Sequence, residues 1–236
     1  MLLKEFITQN TDALLGLYPK EEARNLVLML CEEYLGTHSY THIVDPQTEV
    51  DPSRMPVLQR AMERMKNAEP IQYVLGYADF CDLRFKVTPD VLIPRPETEL
   101  LVREAVKSAK RIVRSRGAYG KFSEQVRILD MCTGSGCIAW SVLAEVPEAQ
   151  VVGVDISEKA LAVAGGQDFG KSVNERPLFM RADVLDIPDE ARLGRFDIII
   201  SNPPYITLSE ISGMRKNVLN WEPHNALFVP KFTILS

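Results

Sequence analysis

Asn202-Pro203-Pro204-Tyr205 sets a carboxamide, two residues without a backbone N–H and an aromatic ring in four consecutive positions. Proline fixes φ and donates no hydrogen bond, so such a loop is stiff and its carbonyls are open as acceptors. An NH₂ group carries two donors and asks for two acceptors. The side-chain oxygen of Asn202 can be one and the carbonyl of Pro203 the other. Tyr205 adds a flat face against which a planar amide or base can pack. Held this way, a planar nitrogen turns its lone pair toward an electrophile, and fixed dipoles meet the positive charge that develops on it. No general base is needed beforehand, because the nitrogen can shed its proton after the new bond forms. The motif points to an exocyclic or amide nitrogen as acceptor and does not separate adenine from glutamine. A plain turn after a strand is the alternative.

A second constellation supplies the other reactant. Cys132-Thr133-Gly134-Ser135-Gly136 directly follows an apolar strand and opens a helix. Glycine lets backbone approach a ligand closely, and amides at a helix start favour a carboxylate or phosphate. Alone this loop is weak evidence. Asp155 ends the next strand about 20 residues on, where a carboxylate can accept from two ribose hydroxyls; capping of the helix at Ser157-Glu158 is its alternative. Asp183, after the third strand, can accept from an adenine amine or can cap its own loop. The full Gly-x-Gly-x-x-Gly is missing, with Ala139 beyond Gly136. That shifts the expected cofactor from a nicotinamide dinucleotide to S-adenosylmethionine.

These motifs need a scaffold, and the alternation of elements supplies one. Val126-Arg127-Ile128-Leu129-Asp130, Val151 to Asp155, Leu178-Phe179-Met180 and Phe196 to Ser201 read as buried strands. Cys137 to Ala144 and Ala160 to Ala164 read as helices between them, after a Gly117-Ala118-Tyr119-Gly120 break. The expected fold class is α/β: a Rossmann-like, mostly parallel sheet over residues 96–236, with ligands at the carboxyl ends of its strands. Residues 1–68 read as a small all-α domain. Pro19 opens one helix and Gly36 stops it, and Asp51-Pro52-Ser53 opens another through Leu58, Met62 and Met65. Residues 69–95 read as a β-hairpin linker with strands over Tyr73–Tyr77 and Leu83–Val87. Val91 to Pro96 must be extended before two prolines, and a helix follows from Glu97.

Composition narrows the classes further. At 46% apolar and 25% charged residues the chain is an ordinary globular one. No apolar run approaches the roughly 20 residues of a membrane helix, and Met1 to Phe6 does not read as a signal peptide; a cytoplasmic location with no membrane partner is expected. Cys31, Cys81, Cys132 and Cys137 form no CxxC pair and have no histidine at ligand spacing, so reduced thiols and no metal site are expected. A net charge of −5 lowers the case for a nucleic-acid binder. The basic run Lys107, Lys110, Arg111, Arg114 and Arg116 fits the solvated face of a helix.

With these residues in place the chain resembles the HemK/PrmC family of protein-(glutamine N5) methyltransferases acting on peptide chain release factors. The specific stretch is Tyr73-Val74-Leu75-Gly76, Phe80, Phe85, Val87, Pro89 and Val91-Leu92-Ile93-Pro94-Arg95-Pro96-Glu97-Thr98-Glu99, and Trp221 to Leu227 matches the segment after the NPPY loop. The resemblance implies methyl transfer from S-adenosylmethionine to the glutamine of the release factors' Gly-Gly-Gln loop, with the helical domain helping to dock that partner and no sequence-specific DNA binding. It implies catalytic roles for Asn202, Pro203, Pro204 and Tyr205. It also implies cofactor contacts from Cys132, Thr133, Gly134, Ser135, Gly136, Asp155, Asp183, Val184 and Asn202, with Arg95 and Glu97 on a loop beside the active site. Cys132 replaces a family glycine and is small enough to be tolerated if its φ is negative; Val184 stands where some members carry an aromatic residue, so its contact would be apolar packing only. The family continues beyond Ser236 with the last strands of its sheet, so a chain truncated near Pro230, with an open sheet edge, is expected. An adenine-N6 methyltransferase and a truncated, non-catalytic release-factor-binding protein are the alternative functions.

Overall fold

The computed structural model describes residues 1–118, 125–186 and 194–229. The chain divides into two compact units, Met1–Gly76 with Arg215–Trp221, and Tyr77–Met214 with Glu222–Ser236.

The first unit is helical: α1 (Leu3–Asp12), α2 (Lys20–Leu35), α3 (Thr41–Val44), α4 (Met55–Lys66) and α5 (Ile71–Leu75). Apolar residues at helical spacing meet in one core, with Phe6 and Ile7 from α1, Val27 and Leu30 from α2, and Leu58, Met62 and Met65 from α4. Gly36 ends α2 in the left-handed conformation. Asp51 accepts from the Ser53 amide at the turn that leads into α4. Tyr73-Val74-Leu75, read above as the start of a strand, is instead in α5. Its β-forming side chains are overruled by packing, with Ile71, Tyr73 and Val74 all buried in this helix. Its exposed carbonyls are also met: the Arg64 guanidinium donates to the carbonyls of Tyr73 and Val74, at 2.9 and 3.0 Å, while paired with the buried carboxylate of Glu69.

The second unit opens with the hairpin β1 (Tyr77–Phe80) and β2 (Leu83–Lys86). Its two-residue loop, Cys81-Asp82, has positive φ at both positions, the geometry that matches strand twist. A 3₁₀ turn at Pro96–Thr98 leads into α6 (Glu99–Ala118). Of the expected break, Gly117 and Ala118 end α6, whereas Tyr119 and Gly120 lie outside the described residues.

Then β3 (Val126–Met131), α7 (Cys137–Glu145), β4 (Ala149–Asp155), α8 (Glu158–Gly165), α9 (Lys171–Asn174), β5 (Pro177–Arg181) and β6 (Ile198–Ser201) alternate. The four strands form one parallel sheet in the order β5-β4-β3-β6. The last strand begins at Ile198, two residues later than Phe196. Alternate side chains face opposite sides: Val126 and Ile128 pack under α6 and α7 with Trp140 and Leu143, while Leu129, Val152 and Val154 form a smaller cluster on the other side. After β6 come β7 (Ile206–Thr207), α10 (Lys216–Trp221), α11 (His224–Leu227) and β8 (Phe228–Val229), with β7 and β8 paired. Pro230 and the chain after it lie outside the described residues. Among the described residues no helix is long and apolar enough to cross a membrane, no cluster of metal-ligating side chains occurs, and the four cysteines are free.

Candidate active site

Because β3 lies between β4 and β6, the chain leaves it toward one side and returns on the other, which makes a crevice at the carboxyl ends of these strands. Asp130, near the end of β3, is 0% exposed. The Thr133 hydroxyl donates to its Oδ2 at 2.6 Å, while Oδ1 is buried without a partner among the described residues. Burial pushes this carboxyl up to about 7, against the lowering effect of the Thr133 hydroxyl and the Ala139 amide.

The loop turns tightly. The Thr133 amide donates to the Val154 carbonyl and the Gly136 amide to the Thr133 carbonyl. At Gly136, with φ of 77°, an added Cβ would stand 2.9 Å from Trp140 Cδ1, so the tight turn and the packing of α7 both demand glycine. Ser135 is buried. Cys132 does not meet the condition of a negative φ: its φ is +60°. The turn requires the left-handed conformation whatever residue occupies it, and the cysteine carries that strain. Burial first, then the Asp155 charge, raises its thiol to about 11, so it is held as a thiol.

Asp155 ties two elements together. Its Oδ2 accepts from the Gly134 amide and its Oδ1 from the Ser157 amide, both at 2.9 Å. Ser157 in turn caps α8 through the Ala160 amide. Asp155 thus shapes the turn before α8 while Ser157, not Asp155, caps that helix, and a carboxylate oxygen with one bond retains a lone pair for a hydroxyl. Asp183 caps its own loop, accepting from the Leu185 amide at 2.9 Å. Val184 packs beside Leu129, Val152 and Val154.

Across the crevice, Ser201 pairs in register with Met131, and its hydroxyl donates to the Met131 carbonyl. The next residue, Asn202, points its side-chain Nδ2 at Thr98 Oγ1, 3.5 Å away. Pro203 is exposed, Pro204 half-buried, and the Tyr205 ring is 72% exposed. Glu97 is exposed in the turn that ends at Thr98. Arg95 donates to Glu222 Oε1 at 2.6 Å, and the Ile93 amide donates to Glu222 Oε2 at 3.3 Å.

Gln167, Thr98 and Glu222 were not singled out as site residues by the sequence. Gln167 is buried, donates to the Ser135 carbonyl, and exchanges two hydrogen bonds with the Lys86 backbone. It braces the glycine loop against β2. No local pattern flags it. Most of the basic run on α6 lies on a solvated face, with Lys107 paired to Glu104 and Lys110 to Glu145, whereas Arg116 is half-buried and paired to Asp197.

The donor set fits a nucleoside joined to an amino acid. It offers a buried carboxylate atom without a partner among the described residues, open space beside Gly134, Asp155 at the end of β4 and Asp183 two residues past β5. Residues 7–76 match the family model described as the PrmC N-terminal domain, and residues 101–218 match the methyltransferase small domain. The protein named release factor glutamine methyltransferase from Bacteroides thetaiotaomicron is 39% identical over 218 residues, covering 92% of this chain and 73% of that protein. Its namesake from Flavobacterium psychrophilum is 35% identical over 230 residues, covering 97% of this chain and 76% of that one.

Proposed function

We propose, since the chain belongs to the release factor glutamine methyltransferase family, that it transfers a methyl group from S-adenosylmethionine to the side-chain amide nitrogen of the glutamine in a release factor's Gly-Gly-Gln loop. The observation that carries this is the side-by-side exit of two strands: β3 delivers the glycine loop and β6 delivers Asn202, with Met131 opposite Ser201.

In this reading Cys132 to Gly136 line the amino-acid end of the cofactor, Asp155 takes ribose hydroxyls, and Asp183 and Val184 border the base. The bound cofactor supplies an electrophilic methyl on a sulfonium. Asn202 Oδ1 and the Pro203 carbonyl accept the two N–H groups of the glutamine amide, Pro204 keeps the loop stiff, and Tyr205 packs on the amide plane. With the cofactor bound, its sulfonium would supply the methyl and leave as the thioether; the residues named here would hold the amide nitrogen toward that methyl, and the nitrogen's extra proton would pass to water. Two fixed acceptors lower the barrier by orientation and by stabilising the positive charge on nitrogen. The helical unit serves as the docking element for the release factor.

The test is transfer of labelled methyl to three acceptors: intact release factor, the same protein with its loop Gln→Ala, and DNA. Label on intact release factor alone is expected. Label on DNA would overturn the reading in favour of an adenine-N6 methyltransferase. Release-factor binding with no label on any acceptor would make the chain a binding protein only.

A further inference from the structure

Resting on the proposed function above, we infer that Thr98 is a positioning residue that anchors the Asn202 carboxamide through its Nδ2 end, and that Glu222 holds Thr98 in place through Arg95 and Ile93. A carboxamide has two chemically opposite ends of nearly equal shape. A substrate NH₂ can use only the oxygen end, so the site works in one of two flips. In the structure Asn202 Nδ2 faces the Thr98 hydroxyl oxygen, and Thr98 is only 8% exposed. That arrangement leaves Oδ1 for the substrate. The 3.5 Å separation is at the long end for such a bond, as is common before substrate tightens a site.

Thr98 ends a short turn with little regular structure of its own. Its place depends on what precedes it, where both carboxylate oxygens of Glu222 are engaged. Oε1 accepts from the Arg95 guanidinium and Oε2 from the Ile93 amide, although the Glu222 side chain is 1% exposed. A carboxylate 127 positions from Arg95 and 129 from Ile93 thus pins both residues, and the turn carries the constraint to Thr98.

The experiment compares T98V, which keeps the shape but loses the acceptor, with T98S, which restores it. In T98V the kcat for release-factor methylation is expected to fall about three- to tenfold, with cofactor affinity and thermal midpoint near wild type; T98S is expected to recover most of the rate. A T98V rate equal to wild type, or a T98S rate as low as T98V, overturns the inference. A second readout is independent of turnover. In protein labelled with ¹⁵N-asparagine, the Asn202 side-chain NH₂ signals should shift in T98V and return in T98S. Signals unmoved in T98V overturn the inference even if wild-type protein methylates no release factor, an outcome that would count against the function proposed rather than against this contact.

Discussion

The Thr133 hydroxyl donates to Asp130 Oδ2 at 2.6 Å, tying the glycine loop to a carboxyl that is wholly inside the protein. Burial raises that carboxyl from its ordinary 3.8 to about 7. The folded state therefore holds a proton that the unfolded chain gives up, and stability linked to Asp130 is full below pH 3.8, falls as pH rises, and is gone above about 7. D130N keeps the shape without the titration. The difference in urea midpoint between wild type and D130N should move against wild type across that window and flatten beyond it; a difference independent of pH would show that Asp130 is not raised.

Cys132 sits at a φ of +60°. A residue with a Cβ pays roughly 1–2 kcal/mol in that conformation, and glycine gives back about 0.4–1 kcal/mol through the unfolded chain. C132G should therefore stabilise the protein by about 0.5–1 kcal/mol in denaturant titration, and C132V should destabilise it. The same melting point for C132G and C132A would show that the strain is not felt.

How much of this was legible beforehand follows from the range of each interaction. The strands β3 and β4, α7, and the glycine loop could be read because apolar runs and glycine spacing are local signals. Tyr73-Val74-Leu75 misled because its strand-like alternation is outweighed by carbonyl contacts from Arg64, nine and ten residues back. The sign of φ at Cys132 is not readable from sequence, because a turn's conformation is set by the strands it joins and not by the residue in it. Gln167 and Glu222 were invisible for a stronger reason: their partners lie 81 and 127 positions away.

Gly153 lies opposite Asp130 in β4. An added Cβ would stand 2.6 Å from Phe179 Cδ1 and 2.9 Å from Thr133 Oγ1. G153A should cost about 1–3 kcal/mol by overpacking and, by displacing Thr133, should also weaken S-adenosylmethionine binding. Unfolding curves and calorimetric titration check the two effects separately. Replacing Phe179 by leucine in G153A should recover stability more than affinity, since the clash with Thr133 remains.

N202A removes the oxygen assigned to the substrate amide. Its kcat for release-factor methylation should fall by about 10²-fold or more, the scale seen when one preorganised transition-state contact is deleted. Affinity for S-adenosylmethionine should stay within a few-fold. A large loss of cofactor binding would place Asn202 in the cofactor pocket and remove it from the role proposed.

The Arg95–Glu222 pair should respond asymmetrically, because its two members are buried to different degrees: the side chains are 36% and 1% exposed. Removing one partner of a fully buried pair costs about 3–5 kcal/mol, mostly from the charge left behind. In R95A the charge left behind is the deeply buried Glu222, which keeps, among the described residues, the Ile93 amide. In E222Q the charge left behind is Arg95, which can turn to water, and the glutamine oxygen can still accept from Ile93. R95A is therefore expected to cost about 3 kcal/mol and E222Q about 1 kcal/mol. Once Glu222 is neutral the arginine has little left to neutralise, so the double variant should be less destabilised than the sum of the two. Chemical denaturation of all four proteins closes the cycle. Equal costs for the two single variants, or simple additivity, would show that the pair does not brace the Ile93–Thr98 segment through a buried charge.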